Sequence, residues 1–317
     1  KAMTKHSKYF YKYTGEAALI LMTIIWGGTF VIVKESLNDI SSMLFIAIRF
    51  AIASSLLILF LLIKKIKVDT KAILPGIMLG VFLFSGFFFQ TIGLKLTTAT
   101  KSGFITGTLI VFIPFVQILV EKKFPTKGAL IGTALVFTGL LFLSSGGSSI
   151  TNFISELGAS FNIGDILTLI CAVFFAVHVV YIDVFSPKYN YWILLTTQLS
   201  TVAVLGFIAS LLFSGFSVEA IHIDFTKYLI FGLLYTSLLA TLLNIGFQTK
   251  FQKVVSPTKA GIIYSFEPIF AAIFAFFLLG EKISNFGLLG CVLIFLGLIV
   301  AELFDSYFES KNESEPC

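Results

Sequence analysis

The sequence predicts an all-α polytopic membrane protein, with ten transmembrane helices laid out as two inverted five-helix repeats around a central cavity. Three observations carry that prediction. Hydrophobic residues make up 57% of the 317-residue chain and charged residues only 12%, with a mean hydropathy of +0.99. A soluble domain needs about 25% charge to cover itself, which this chain lacks. Apolar stretches of membrane-crossing length recur along the whole sequence. A pattern also occurs twice: Ser102, Gly107, Pro114, Gly132 and Gly139 return as Ser256, Gly261, Pro268, Gly290 and Gly297, the first three pairs 154 residues apart and the last two 158.

A hydrocarbon core of about 30 Å takes roughly twenty residues of helix to cross. Apolar runs of about that length cover 15–34, 43–63, 73–94, 102–120 and 128–145, then 163–183, 191–213, 227–248, 258–279 and 286–304. None shows the alternation of a strand, and backbone in lipid must satisfy its own hydrogen bonds, so each run is expected to be a helix. The expected organisation is a first five-helix repeat over 1–145, an extracytoplasmic linker over 146–162, a second repeat over 163–305 and an acidic cytoplasmic tail over 306–317. Because five is odd, the second repeat must lie upside down relative to the first. Gly15-Glu16 recurs as Gly164-Asp165 at the start of each half, and Gln90 lies 154 residues from Asn244.

Lysine sets the orientation. With the N-terminus inside, sixteen lysines fall on the cytoplasmic side and five (Lys34, Lys95, Lys101, Lys227, Lys282) outside, leaving Arg49 within a span. That bias follows the positive-inside rule. Both termini are therefore expected in the cytoplasm, in a cytoplasmic (inner) membrane. The net charge of +5 is spread over short connections between apolar runs, which argues against a nucleic-acid partner. Cys171, Cys291 and Cys317 have no metal or redox spacing, and no secretory leader is evident.

Several polar residues fall where lipid would be. Glu267-Pro268 sits in the ninth apolar run, where an ionised carboxylate costs about 2.5–3.5 kcal/mol. Glu267 is expected either to bind a cationic group or coupling proton, or to act as a neutral hydrogen-bonding group beside a proline kink; in the 154-residue registration its counterpart is Ile113. Tyr264 shares its face. Trp26, followed by Gly27 and Gly28, lies at mid-span, where an indole either packs or forms an aromatic wall. His178 either titrates in the pathway or packs with a hydrogen bond. Arg49 is expected to snorkel outward into a structural ion pair, with anion binding as the alternative. Gln90, Phe104, Tyr181 and Asn244 complete the expected cavity lining. Gly76/Gly80, Gly103/Gly107 and Gly128/Gly132 have the spacing of close helix contacts.

Taken together, Trp26-Gly27-Gly28-Thr29-Phe30 with Lys34, Arg49, the run Thr97 to Gly107 leading to Pro114, Ser256-Pro257, Glu267-Pro268, Leu279-Gly280-Glu281 and the Gly290/Gly297 pair resemble the drug/metabolite transporter superfamily, specifically its EamA-type members. One feature departs: Leu279-Gly280-Glu281 has no twin after the fourth run, where Val120-Glu121-Lys122-Lys123 stands. The resemblance implies ten helices in inverted repeats, a central cavity, and alternating access for small metabolites or drugs.

The expected function is that of a secondary transporter, exporting a small metabolite or drug-like solute. No GxxxxGK[ST] string is present, so an ion or solute gradient must supply the energy. A lipid or polyisoprenoid flippase on the same fold is the alternative, with an intramembrane enzyme as the remoter one. No catalytic residue, metal or cofactor is expected. The expected partners are a small-molecule substrate, the lipid bilayer and a proton or other coupling ion, in a monomer or homodimer.

Overall fold

The computed structural model describes residues 5–143, 162–279 and 285–314. Gly280, Glu281, most of the 146–162 linker and Cys317 lie outside the described residues. In chain order the helices are α1 (Lys5–Ser36), α2 (Ser42–Ile63), α3 (Ile73–Leu96), α4 (Ala99–Gly107), α5 (Leu109–Glu121), α6 (Lys127–Leu143), α7 (Ile163–Phe185) and α8 (Tyr191–Gly215). They continue as α9 (Lys227–Leu234), a π-helical segment (Tyr235–Leu243), α10 (Asn244–Phe251), α11 (Pro257–Tyr264), α12 (Glu267–Leu279) and α13 (Asn285–Ser314). Among the described residues there is no β-strand, only an isolated bridge between Ile40 and Ile223.

Eight helical stretches are long and apolar enough to cross a membrane, and Lys127–Phe142 and Asn285–Ala301 are shorter apolar helices. Large apolar side chains such as Leu59, Leu119, Leu211 and Phe277 are exposed along them, a surface suited to hydrocarbon rather than water. The protein is therefore a multi-pass membrane protein. The backbone of α13 runs on to Ser314, into the stretch expected as a tail.

Two features of the helices differ from the sequence expectation. The chain around Glu267-Pro268 is not one helix kinked at a proline. It stops at Tyr264, turns through Ser265 and Phe266, and restarts with Glu267 as the first residue of α12. Pro268 stands in the first turn, where a missing N–H leaves no hydrogen bond unmade. Similarly, α4 ends at Gly107 and α5 begins at Leu109, with Thr108 between them.

The second difference concerns register. Thr98 and Ser256 stand at the N-caps of α4 and α11, 158 residues apart. The same 158 separates the starts of α5 and α12, and of α6 and α13, while α2 and α8 start 149 apart. The 154-residue registration of Ser102, Gly107 and Pro114 is thus four residues short. Four residues is close to one helical turn, so the slip keeps the same helix face and still matches small residues to small ones. In the 158 register, Gly103 matches Gly261, Gln90 matches Gln248 rather than Asn244, and Glu267 matches Leu109 rather than Ile113.

Glycines set the closest helix contacts. A Cβ on Gly132 would lie 2.7 Å from the carbonyl oxygen of Gly297, and one on Gly139 2.7 Å from that of Gly290. The four repeated glycines thus form one antiparallel backbone contact between α6 and α13. Gly76 and Gly80 seat Thr197 and Thr201 of α8 against α3 in the same way. In lipid there is little hydrophobic drive between helices, so close approach and dispersion must supply the association.

Candidate functional site

A cavity of about 560 Å³, its opening included, lies among helices of both halves. From α1 it receives Trp26 and Thr29, from α2 Arg49, and from α3 Leu83, Phe87 and Gln90. Thr106 and Leu109 come from the α4/α5 break, and Phe175, His178 and Val179 from α7. Gln248 of α10, Tyr264 at the end of α11 and Glu267 at the start of α12 complete it.

Close backbone packing places Glu267. A Cβ on Gly27 would sit 2.6 Å from Phe270 Cβ and 3.0 Å from the Glu267 carbonyl oxygen, so α1 can lie this near α12 only because residue 27 is glycine. The restart of the helix puts the Glu267 carboxyl in the first turn of α12, where free N–H groups and the helix dipole favour negative charge. Among the described residues, Glu267 makes no ion pair.

Trp26 is fixed at both ends. Its Nε1–H donates to the Ala240 carbonyl at 2.9 Å, within the π-helical segment, and its ring meets Tyr264 edge to face at 5.8 Å. Tyr235 of the same segment donates through its hydroxyl to the Ile25 carbonyl at 2.8 Å. A π-helix widens the turn and re-aims its carbonyls, and here the Ala240 carbonyl serves α1.

Arg49 corrects the expectation of an outward, ion-paired side chain. It is buried, its Nε–H donates to Thr241 Oγ1 at 2.7 Å, and its guanidinium lies 4.7 Å from the Phe87 ring centre and 5.3 Å from that of Phe50. Among the described residues no carboxylate pairs with it. Arg49 and Glu267 line one cavity, and among the described residues no ion pair joins them.

His178 is held by a directional relay. The Thr249 hydroxyl donates to the Ile245 carbonyl at 2.7 Å, the Gln198 amide donates to Thr249 Oγ1 at 2.9 Å, and Gln198 Oε1 is left as acceptor 3.1 Å from His178 Nε2. That order assigns the neutral imidazole proton to Nε2 and leaves Nδ1 as an acceptor. Tyr264 donates its hydroxyl to Gln252 Oε1 at 3.0 Å, and Gln252 in turn donates to the Val179 carbonyl. Gln90 Nε2 donates to Thr106 Oγ1 at 3.2 Å.

Of the residues expected from sequence to line a cavity, Trp26, Gln90, His178, Tyr264 and Glu267 come together here. Phe104, Tyr181 and Asn244 do not line it. Phe104 packs with Ile105, Ile110 and Leu140; Tyr181 stacks on Phe82 at 5.1 Å; Asn244 donates to the Met22 carbonyl at 3.0 Å. Arg49, Thr29, Thr106 and Gln248 are additional polar lining residues. Gln248 had a usable signal, its 158-residue spacing from Gln90.

The chain matches the family model described as "EamA-like transporter family" over residues 13–145 and 162–303. It belongs to the EamA-like transporter family. Among its relatives, an uncharacterized transporter of Archaeoglobus fulgidus is 34% identical over 288 residues, covering 91% of this chain and 85% of the relative. The uncharacterized transporter YoaV of Bacillus subtilis is 26% identical over 290 residues, covering 89% and 94%. A solved crystal structure superposes with a TM-score of 0.72 at 16% identity, covering 92% of this chain and 98% of that one, which speaks to the fold alone. This EamA-like chain is thus a membrane transporter, and its cavity is the place to look for what it carries.

Proposed function

We propose that this EamA-like protein is a secondary transporter whose cavity takes a small dipolar solute, with a cationic group toward Glu267, an anionic group toward Arg49 and an apolar part against Trp26 and the phenylalanine rings. The observation that carries the reading is that an arginine and a glutamate line one aromatic cavity, each without an ion-pair partner among the described residues. A buried charge left unpaired is costly, and a ligand bearing both complementary charges offsets both costs at once.

Alternating access through an inverted duplication is part of the same proposal. The offsets support it: Trp26 and Phe175, and Thr29 and His178, lie 149 apart, while Gln90 and Gln248, Thr106 and Tyr264, and Leu109 and Glu267 lie 158 apart. Every one of these residues lines the cavity. A site built from matched positions of two repeats sits on the pseudo-two-fold axis about which such transporters rock. With Lys127–Phe142 and Asn285–Ala301 as the short fifth member of each repeat, the chain crosses ten times. The lysine distribution supports both termini on the cytoplasmic side of a cytoplasmic membrane. Leu109 opposite Glu267 makes the carboxylate unique to one repeat, and Glu267 is the proposed coupling group for export driven by a proton gradient.

The test is flux in proteoliposomes. A radiolabelled neutral amino acid, as a probe bearing both charges, is expected to move faster under an imposed pH gradient, and Glu267→Gln is expected to lose the gradient response while reconstituting normally. Flux in Glu267→Gln with an unchanged gradient response removes Glu267 from coupling.

A further inference from the structure

Two ion pairs, made by related residues, lie outside the cavity. Lys259 Nζ is 2.8 Å from Glu16 Oε1, a contact of charge rather than an aligned hydrogen bond. Lys101 Nζ is 3.5 Å from Asp165 Oδ2. Lys101 and Lys259 occupy the third position of α4 and α11 respectively, 158 residues apart. Glu16 and Asp165 are the acids of the doubled Gly-acid dipeptide, 149 apart. Each pair joins the first helix of one half to the fourth helix of the other.

The packing beneath each pair repeats as well. A Cβ on Gly15 would meet Val254 Cγ2 at 2.8 Å and the Phe251 carbonyl oxygen at 3.4 Å. On Gly164 it would meet Leu96 Cβ at 2.8 Å and the Gly93 carbonyl oxygen at 2.7 Å. Gly93 and Leu96 are 158 residues before Phe251 and Val254, so the contact is the same contact made twice. The acids are not equally held. Asp165 accepts from the Thr97 hydroxyl at 2.5 Å and from the Asn162 backbone N–H at 3.0 Å, and its capping box fixes the start of α7. The Lys259–Glu16 pair is the more enclosed for its lysine, whose side chain is 5% exposed against 34% for Lys101.

We infer that Glu16–Lys259 and Asp165–Lys101 are the two gates of the transport cycle, one closing each end of the pathway and each opening only while the other is shut. The inference rests on the inverted-repeat reading, which sends the two related contacts to opposite membrane faces, Glu16–Lys259 to the cytoplasmic side. Each pair ties one half to the other, so rocking of the halves that opens one end must part the pair there. Parting the more enclosed Lys259–Glu16 pair without water leaves two uncompensated charges, and parting Lys101–Asp165 leaves the buried Asp165 carboxylate without its counter-charge. Once the end opens, water hydrates both groups and returns that cost. The pair is thus stable closed and stable open, which is what a two-state element requires.

The experiment uses the full chain with Cys171, Cys291 and Cys317 changed to Ala and a cavity reporter, Thr29→Cys, labelled by a membrane-impermeant methanethiosulfonate in right-side-out and inside-out vesicles. Lys259→Met is expected to raise cytoplasmic-side labelling about fivefold and to lower outside labelling, a population shift of the size typical of coupled sites. Lys101→Met is expected to do the reverse. The charge-swapped Glu16→Lys/Lys259→Glu variant is expected to restore the parent rates. Should either Met variant not fold, Glu16→Cys/Lys259→Cys and Asp165→Cys/Lys101→Cys, each joined by a short bis-thiol linker on a chain whose reporter is replaced by a fluorophore-quencher readout of the cavity, must close only their own face. Changes of the same sign on both faces, or none, overturn the gates. Leu96→Cys and Lys253→Cys, both at exposed positions, report separately: they must label from opposite faces, and same-face labelling overturns the inverted reading itself.

Discussion

Gly27 lies against the backbone of Glu267, close enough that a single added methyl would come within 3.0 Å of the Glu267 carbonyl oxygen. The contact joins the helix that carries the aromatic wall to the helix that carries the carboxylate. Gly27→Ala is therefore expected to destabilise the protein by about 1–3 kcal/mol, the usual cost of overpacking against backbone. Gly28→Ala is expected to cost less, because its nearest neighbour is the Tyr235 hydroxyl, the far end of a side chain, at 3.0 Å. Unfolding midpoints of the two variants in detergent check the order.

Arg49 predicts a substitution that charge alone does not. Arg49→Lys keeps the positive charge but loses the Nε–H bond to Thr241 and the guanidinium contact over the Phe87 ring. It is expected to recover little of the affinity lost in Arg49→Met, since a guanidinium and an ammonium are not equivalent at such a site. Thr241→Val removes only the acceptor and is expected to weaken binding of a carboxylate-bearing ligand by about 1 kcal/mol. Calorimetric titration of the three variants checks the ranking.

The His178 relay predicts an asymmetric pair. Gln198→Leu strands the His178 Nε2–H donor and leaves Thr249 Oγ1 without its incoming N–H in a buried site, and is expected to cost about 1–3 kcal/mol of stability. His178→Leu in the same background is expected to recover part of that loss, because the stranded donor goes with it. A double-mutant cycle on thermal unfolding measures the coupling.

The glycine contact between α6 and α13 predicts damage confined to folding. Gly139→Val drives a branched side chain into the Gly290 carbonyl and Ile294, and is expected to lower the melting temperature. Neither helix contributes to the cavity, so the affinity of protein that does fold is expected to stay within about twofold, the scatter of independent sites. Equilibrium binding on the folded fraction checks it.

Much of the fold was legible because lipid allows few choices. The apolar runs located the helices, since backbone in hydrocarbon must bond to itself. The breaks at Thr108 and at Ser265–Phe266 were not legible as breaks: Gly107 and Pro268 are tolerated inside membrane helices, and only packing decides between a kink and a restart. The helix starts follow a 158-residue offset where Ser102, Gly107 and Pro114 follow 154, a difference of about one turn that keeps small residues on the same face. Glu267, Trp26, Tyr264, His178 and Gln90 stood out as polar or bulky groups at membrane depth. Arg49 was visible too, but its direction was not, since Thr241, 192 residues away, turns it inward. Asn244 and Tyr181 carry the same chemistry as true lining residues and are spent on the Met22 carbonyl and on Phe82 instead.

The most direct test of the account is the thermal stability of the purified transporter against matched ligands: neutral amino acids, the corresponding amines without the carboxylate, and the corresponding acids without the amine. A ligand stabilises the state it binds, so melting temperature reads affinity. The dipolar members are expected to raise it more than either singly charged analogue, with Glu267→Gln abolishing the advantage over the acids and Arg49→Met the advantage over the amines. Equal stabilisation by the singly charged analogues, or dipolar binding untouched by both substitutions, would contradict a site built from the two opposed charges.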